Sequence, residues 1–326
     1  MIEYLENLVL TRQIRKALEE VHNDKLLPVF IPSYKNRSFT TIPELYKIPG
    51  IVYLFIYEDD RDNYPKKFPD NVNLHLIKKE NFERMNLPWH TIAGKREYML
   101  EYAKNNNFHK VIVIDDDINF EAYISSKENK YEKADIWDCF KLITRLSEPY
   151  EYAISAICDE KEFVMNYKWK SIIKFKKSTV GAIILNIDNL KKKNIHYQTD
   201  CNGLIQEDMG LIIDSNINKL KTLFFEFICF VCNERCAGKH SIASSKDIIN
   251  ILPMNYYAHY RDYSRLSYSK NENRLYSKIN WKNIEIENPI IHDEFHEELY
   301  KACKDNNLER VKELLTKGIV KEIEEW

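Results

Sequence analysis

The sequence of 326 residues predicts an α/β fold with a mixed, mostly parallel sheet flanked by helices and a small helical C-terminal tail. Short apolar runs alternate with an amphipathic segment over residues 26–114, which is the order of strands and connecting helices. One run, Val111 to Ile114, lies directly before three consecutive aspartates. A run that is apolar on both faces is typical of a covered parallel sheet, where ligands bind beyond the carboxyl ends of the strands.

The remaining elements follow from hydrophobic spacing and from turn residues. Leu5, Leu8, Ile14 and Leu18 lie on one side of a helix, and Gly181 marks a close approach of backbone or ligand within a strand. In chain order we predict a helix in residues 1–24, strands at 26–32, 51–57 and 72–77, a helix at 92–105, the acidic strand at 109–114, a helix at 134–146, strands at 152–157 and 180–187, a helix beginning near 206 and a strand at 223–232.

The C-terminal tail has a different pattern. Residues 298–318 form two short amphipathic segments around an Asp-Asn-Asn turn, and this resembles a single ankyrin repeat. One such unit cannot bury its own apolar face, so we expect it either to pack on the main domain or to be the first unit of an array of repeats. The tail is also a candidate binding site for a protein partner. The predicted division is an N-terminal helix at 1–24, a central domain at 25–292 and the tail at 293–326.

Composition excludes several classes of protein. The formal net charge of −2 gives no general attraction to nucleic acid, and the sequence contains neither GxGxxG nor GxxxxGK[ST]. The most apolar window, residues 223–232, is too short to span a bilayer, and the first eight residues lack the order of a secretory signal. Seven cysteines suit a reducing compartment. We therefore expect a cytoplasmic protein without a membrane partner.

The three aspartates predict a divalent-cation site. Asp115 and Asp117 share one face of an extended chain, whereas Asp116 points elsewhere. Adjacent carboxylates repel one another unless a hard cation such as Mg²⁺ or Mn²⁺ holds them. The alternative is an acidic turn that caps the following segment.

A nucleotide sugar would suit this cation, because its diphosphate ligates the metal while the metal neutralises the leaving group. Carboxylates at the end of the second strand can bind a ribose hydroxyl or a base N–H, and cations at a helix start suit phosphate oxygens. The candidate donor-binding residues are Ser33, Tyr34 and Arg37 after the first strand, Glu58 and Asp59 after the second, and Lys95 and Arg96 at the start of a helix. For both arginines an ordinary surface position is the alternative.

The sequence resembles glycosyltransferases of the GT-A fold over roughly residues 25–245. The matching segments are 31–37, 93–97, 114–117 and 206–208. The resemblance makes 25–120 the nucleotide-binding half and 121–292 the acceptor half of the central domain. It also adds Pro32 and Asp116 to the donor site and implies a UDP-sugar as the favoured donor.

The same resemblance implies residue roles. The DxD carboxylates that bind Mn²⁺ or Mg²⁺ fall on Asp115 and Asp117, and a later histidine that completes the metal shell falls on His240. An xED element that supplies the catalytic base falls on Asp208, with Glu207 as its neighbour. For Asp208 the alternative is stabilisation of a helix N-terminus. For His240 the alternatives are His196, His259 and His292.

More narrowly, the opening loop, the Gly-Lys-Arg helix start and the triple aspartate are similar to DNA-base glycosyltransferases that accompany thymine and methylcytosine dioxygenases. The resemblance implies transfer of a sugar to a hydroxyl acceptor, which is a glycan, a protein or a modified DNA base, although the net charge does not favour DNA. Two other functions stay open: a nucleotidyltransferase that makes nucleotide sugars, and a non-catalytic interaction protein.

Overall fold

The computed structural model describes residues 13–34, 44–126, 130–159, 173–175, 181–200, 206–232, 248–285 and 294–324. Within these ranges a nine-stranded mixed sheet is flanked by helices, and a separate two-stranded hairpin lies with helices in the C-terminal region. The predicted α/β class is therefore confirmed.

The bounds of the elements are as follows. In chain order they are α1 (residues 13–21), β1 (Val29–Pro32), β2 (Val52–Tyr57), β3 (Val72–Ile77), α2 (Lys79–Met85), α3 (Ile92–Asn105), β4 (Lys110–Ile114), β5 (Ile118–Ser126), β6 (Lys130–Asp135), α4 (Ile136–Ser147), β7 (Tyr152–Asp159), β8 (Ala182–Asn186), α5 (Ile187–Lys192), α6 (Glu207–Ile217), β9 (Lys221–Cys232), α7 (Ile248–His259), β10 (Ser264–Ser269), β11 (Arg274–Ile279), α8 (Trp281–Glu285), α9 (Glu294–Lys304) and α10 (Leu308–Glu324). Short 3-10 segments cover Leu45–Lys47 and Glu58–Asn63.

The large sheet has the strand order β3-β2-β1-β4-β8-β7-β9-β5-β6. From the pairings, β8 and β5 run opposite to the other strands, so the sheet is mostly parallel. In particular, β1 pairs in parallel with both β2 and β4. The carboxyl ends of these three strands therefore meet at one edge, and the residues that follow them are brought together.

The two faces of β4 belong to two different apolar clusters. Ile112 and Ile114 lie in a cluster with residues of α4, whereas Val111 and Val113 lie in a cluster with residues of α3 and α6. This division follows from the two-residue repeat of a strand. Each such side chain stabilises the fold by about 1.5–3 kcal/mol when it is fully buried. The helices α3 and α6 are thereby fixed on the same face of the sheet.

Two hairpins, β5–β6 and β10–β11, are absent from the sequence prediction. In β5 the pairing with β9 shifts register between Asn119 and Ala122, so the alternation of buried and exposed residues is interrupted there. Strand β6 lies at the edge of the sheet and carries a charged, lysine- and glutamate-rich sequence. The sequence of β5 alternates apolar and polar residues from Ile118 to Ser125, whereas β6 lacks the regular period of two that identifies a strand.

The C-terminal helices α9 and α10 pack against α7 and the β10–β11 hairpin. Leu299, Leu314, Met254 and Leu275 share one buried cluster. The apolar face predicted for the tail is thus covered by neighbouring segments of the same chain. Among the described helices, none has the length and apolar character that crossing a membrane requires. The ankyrin likeness and the division at residues 24 and 292 stay predictions.

Candidate functional site

Three carboxylates surround the side chain of Arg96 at the carboxyl edge of the sheet. Its Nη2 lies 2.8 Å from Oδ1 of Asp115, and its Nη1 lies 2.6 Å from Oε1 of Glu207 and 4.0 Å from Oδ2 of Asp208. Arg96 comes from the first turns of α3, Asp115 follows β4, and the two other acids begin α6. Asp115 continues the face of β4 on which α3 and α6 pack, and this is why the four side chains meet.

The start of α3 is built to place Arg96 there. The Oγ1 of Thr91 accepts a hydrogen bond from the backbone N–H of Gly94 and donates one to the carbonyl of Pro88, with distances of 3.0 and 2.8 Å. A Cβ at position 94 would lie 2.5 Å from that same carbonyl oxygen. Only glycine therefore allows the preceding loop to close against the first helical turn, and the arginine two residues later points toward the edge of the sheet.

Charge and burial both act on this cluster. Burial raises the pKa of Glu207 to about 7, and Arg96 opposes that rise. Burial also raises the pKa of Asp208. For Arg96, burial alone would lower the pKa, but the three carboxylates hold it well above its ordinary value. The arginine thus stays charged, while the two acids of α6 bind protons more tightly than in water.

Asp116 has a different set of partners from Asp115. Its Oδ2 accepts hydrogen bonds from Oγ of Ser33 at 2.6 Å and from the backbone N–H of Tyr34 at 3.3 Å. The hydroxyl of Tyr64 in turn donates to Oγ of Ser33 at 2.9 Å. Asp116 thus fixes the beginning of the loop after β1. Asp117 lies half-buried in the turn that follows.

Lys95 lies beneath the same loop. Its side chain is among the largest fully buried ones, its Nζ donates a hydrogen bond to the carbonyl of Ser33, and this nitrogen lies 4.0 Å from the centre of the Tyr57 ring. A buried ammonium needs such partners because desolvation is costly. The structure therefore places Lys95 as a support of the loop, with Pro32 as the last, buried residue of β1 before it.

The two acids after β2 have separate partners. Glu58 accepts a hydrogen bond from the backbone N–H of Lys79 at the start of α2, at 3.0 Å. Asp59 lies 2.7 Å from Nε2 of His90. The His90 ring stacks on Tyr57, with centres 4.7 Å apart and planes within 9°, and it has a φ of 60°. A positive φ in a residue other than glycine is often found at functional sites.

Aromatic rings surround this histidine. Tyr34 meets His90 edge to face at 5.9 Å, and Trp89 packs on Tyr57 at 4.5 Å. Trp89 is also part of the apolar cluster under α3. The structure thus places Trp89 in a packing contact with the core.

A small cavity opens beside the arginine cluster, with room for about one water molecule (about 10 Å³). Its polar lining includes Asp115, Asp208 and Tyr197, and Gly181 forms part of its wall. Gly181 has a φ of 89°, and a Cβ there would lie 3.2 Å from the Phe230 ring and 3.7 Å from Oδ2 of Asp115. The glycine therefore leaves the space beside this carboxylate oxygen open, in agreement with the close approach predicted from the sequence.

Sequence reasoning missed Tyr197. Its backbone N–H donates to Oε2 of Glu97 at 2.7 Å, while Oε1 of Glu97 lies 2.7 Å from Nδ1 of His196. Lys104 donates to the carbonyl of Ile195 at 3.1 Å. These contacts hold residues 195–197 against α3. They join positions about a hundred residues apart, so no local pattern could have indicated them.

Several sequence predictions fall outside the described residues. They are Arg37, His240 and His292. The lysine-rich segment at 168–177 also lies mostly outside the described residues; its Lys174 is described, and Nζ of Lys174 lies 2.5 Å from Oε1 of the buried Glu226. The roles predicted for Arg37 and His240 stay predictions.

The matched segment of the chain includes the site described above. A family model described as TAGT, TET-Associated Glycosyltransferase, matches residues 27–236, which include the whole cluster around Arg96. The search of curated proteins found no match. The region from α7 to α10 lies beyond the matched segment.

Proposed function

The chain belongs to the TET-associated glycosyltransferase family, and from this premise we propose that it transfers a sugar from a nucleotide-sugar donor to a hydroxyl acceptor with the help of Mn²⁺ or Mg²⁺. The observation that carries the proposal is the meeting of Asp115, Glu207 and Asp208 around Arg96 at the carboxyl edge of the sheet. This is the position where open α/β sheets bind their ligands. Three acids around one cation leave net negative charge, which suits a further cation.

The residues after β4 fit a hard divalent ion. Mg²⁺ and Mn²⁺ prefer carboxylate oxygens, and Asp115 and Asp117 would hold the ion, with His240 as the third ligand that the family resemblance implies. The support is the position of Gly181, whose lack of a side chain leaves space beside Oδ2 of Asp115. When bound, such an ion neutralises the charge that develops on a diphosphate leaving group.

The donor would lie along the loop after β1. Asp116 and Lys95 contact the first two residues of this loop, Ser33 and Tyr34, so the backbone at these two residues is fixed before the donor binds. The exposed side of Asp59 and the rings of Tyr34 and His90 would face the nucleoside. A carboxylate can accept hydrogen bonds from a ribose hydroxyl or a base N–H, and rings can stack on the base. We expect UDP-sugars first, and Arg37 would add a positive charge.

Asp208 is the better candidate for the catalytic base. Glu207 is held by Arg96 at 2.6 Å and is buried, whereas Asp208 lies at 4.0 Å from that arginine and lines the cavity. In the transfer the acceptor oxygen bonds to the anomeric carbon, the bond from that carbon to the diphosphate oxygen breaks, and the acceptor proton goes to the Asp208 carboxylate. A raised pKa makes this carboxylate a stronger base.

The family name suggests a class of acceptor. A dioxygenase that hydroxylates the methyl group of a pyrimidine base creates a primary hydroxyl group, and a glycosyltransferase associated with it can use that hydroxyl. We therefore propose a hydroxymethyl pyrimidine in DNA as the acceptor. Because the net charge is −2, contact with DNA would depend on a local basic surface and not on the overall charge of the molecule.

Two assays test the proposal. A thermal-shift screen of UDP, GDP, CDP and dTDP sugars with and without Mn²⁺ should show stabilisation by one donor class only when the metal is present. That donor is then incubated with duplexes that contain 5-hydroxymethylcytosine, 5-hydroxymethyluracil or unmodified bases, and nucleosides are analysed by mass spectrometry. We expect a hexose or related sugar on a hydroxymethyl base only. Absence of metal-dependent binding by every donor would overturn the proposal.

A further inference from the structure

The region beyond the matched segment contacts the helix that carries the two candidate catalytic acids. We call α7, β10, β11, α8, α9 and α10 the C-terminal module. Helix α6 begins with Glu207 and Asp208 and extends to Ile217. Contacts from the C-terminal module reach this helix at its start and in its second half. They are the basis of the inference.

The contact in the second half of α6 is made by Tyr260, which directly follows α7. Its hydroxyl donates a hydrogen bond to Oδ2 of Asp214 at 2.9 Å, and Nε2 of Gln198 donates to the same oxygen at 2.7 Å. Asp214 lies two helical turns after Glu207, so the two acids share one side of α6. Burial raises the pKa of Asp214, and the two donors lower it. The tyrosine thus binds the same helix whose first turn faces Arg96.

Gly210 allows this close packing. A Cβ at position 210 would lie 2.9 Å from the Tyr260 hydroxyl and 3.2 Å from Cγ of Gln198. Glycine weakens the interior of a helix because it loses more backbone freedom than other residues on folding. Its presence one turn after the acids is explained by the tyrosine that lies against it.

The contact at the start of α6 is made by β11. The hydroxyl of Ser277 donates a hydrogen bond to Oε1 of Gln206, the residue directly before Glu207. Tyr256, on α7, is fully buried, and its hydroxyl has no hydrogen-bond partner in the described part of the chain. Burial raises the pKa of Tyr256, and the charges of Asp208 and Asp214 raise it further.

We propose that the C-terminal module is part of the transfer site, and that Tyr260 and Ser277 are positioning residues that hold α6 so that Asp208 faces the cavity. The inference rests on the function proposed above. The helix is held at Gln206 and at Asp214, which lie on either side of Asp208. With α6 held in this way, Glu207 pairs with Nη1 of Arg96 at 2.6 Å. Asp208 lies 4.0 Å from the same nitrogen, which leaves its carboxylate available to an acceptor.

Single-atom variants test this role. Tyr260→Phe and Ser277→Ala each remove one hydroxyl that contacts α6, and Tyr268→Phe is the matched control because its hydroxyl bonds to Asn273 within its own hairpin. For the full-length protein we expect kcat to fall about 10-fold or more in the first two variants, since small misplacements of a catalytic group are costly. The donor KM should stay within about twofold, because the donor residues lie on other elements.

A second measurement does not depend on activity. Hydrogen exchange of the α6 amides, residues 209–216, should be about 10-fold faster in Tyr260→Phe than in the Tyr268→Phe control. Gly210→Ala should have a similar effect on exchange and kcat, and a Gly210→Ala, Tyr260→Phe double variant should lose less than the sum of the two single effects, since the hydroxyl that clashes is then removed.

The outcomes separate the two proposals. If Tyr260→Phe and Ser277→Ala match the control in kcat and in α6 exchange, the positioning role is wrong even though transfer is observed. If the wild-type protein transfers no sugar, the proposed function is wrong. Unchanged hydrogen exchange of α6 in Tyr260→Phe would then separately show that Tyr260 does not hold this helix in position. A fall in kcat with an unchanged donor KM and faster α6 exchange would support both.

Discussion

The Nη2 atom of Arg96 lies 2.8 Å from Oδ1 of Asp115, and this bond joins the start of helix α3 to the end of strand β4. The same guanidinium also binds Glu207, so one side chain connects three elements at the edge of the sheet. Charged pairs of this kind are stable in a buried site only when each charge is matched. The candidate site therefore depends on Arg96 both for its shape and for its charge balance.

Replacing Arg96 should destabilise the protein. In Arg96→Met the buried Glu207 loses the cation that holds it, and we expect the free energy of unfolding to fall by about 3–5 kcal/mol. Urea denaturation measures the change. Arg84→Met on α2 is the control, since Arg84 bonds only to Asn81 among the residues with described contacts and is exposed. A loss in Arg96→Met no larger than in the control would contradict this account of the cluster.

Loss of the carboxylates after β4 should abolish metal-dependent activity. Asp115→Asn and Asp117→Asn each remove a charged ligand from the proposed ion, and we expect kcat/KM to fall on the order of 100-fold or more. Calorimetric titration with Mn²⁺ and the donor nucleotide gives an independent measure. Asp70→Asn, at an exposed position before β3, should behave as the wild type. Unchanged metal binding in Asp117→Asn would rule out this ligand.

Asp208 should control the pH dependence of transfer. Burial raises its pKa, so it stays protonated to a higher pH than an aspartate in water, whose pKa is about 3.9. Since a base acts in its ionised form, activity should fall as pH decreases through that raised pKa. We expect Asp208→Asn to lower kcat by about 10²–10⁴-fold at pH values above that pKa, to lose the acid limb and to retain wild-type unfolding behaviour. An acid limb that survives in Asp208→Asn would assign it to another group.

His75 should make the fold sensitive to acid. This residue of β3 lies 2.9 Å from the Tyr98 hydroxyl, and burial lowers its pKa. The folded protein thus favours the neutral imidazole of His75. The contribution of this neutral side chain to stability is present above the ordinary histidine pKa of about 6.5, and it is lost as the pH falls below that value. Thermal unfolding is measured between about pH 5 and 8, the range in which histidines titrate. On acidification the melting temperature should decrease less in His75→Gln than in the wild type.

The matched control for that measurement is His109→Gln, at an exposed position before β4. Its melting temperature should follow the wild-type pH dependence. Equal slopes for His75→Gln and the wild type would show that the histidine does not contribute to acid unfolding.

Local sequence patterns determined much of the sheet. The apolar run of β4 and the three aspartates after it indicated the end of a buried strand followed by carboxylates. This was possible because the hydrophobic pattern of a strand is carried by a few adjacent residues. The start of α3 was visible from Gly94 and its neighbours, and the start of α6 from its two acids. These signals lie within one turn or one strand, and they placed Arg96, Asp115 and Asp208 at the ends of elements.

Tertiary structure alone decided which of these residues meet and what they do for one another. Arg96 and Glu207 are 111 positions apart, and only the packing of α3 and α6 on one face of β4 joins them. The same packing brought the side chain of Lys95 to the carbonyl of Ser33, at the start of the loop after β1. Contacts of such sequence separation depend on the relative placement of whole elements, which is set by the burial of both sheet faces and has no local pattern in the chain.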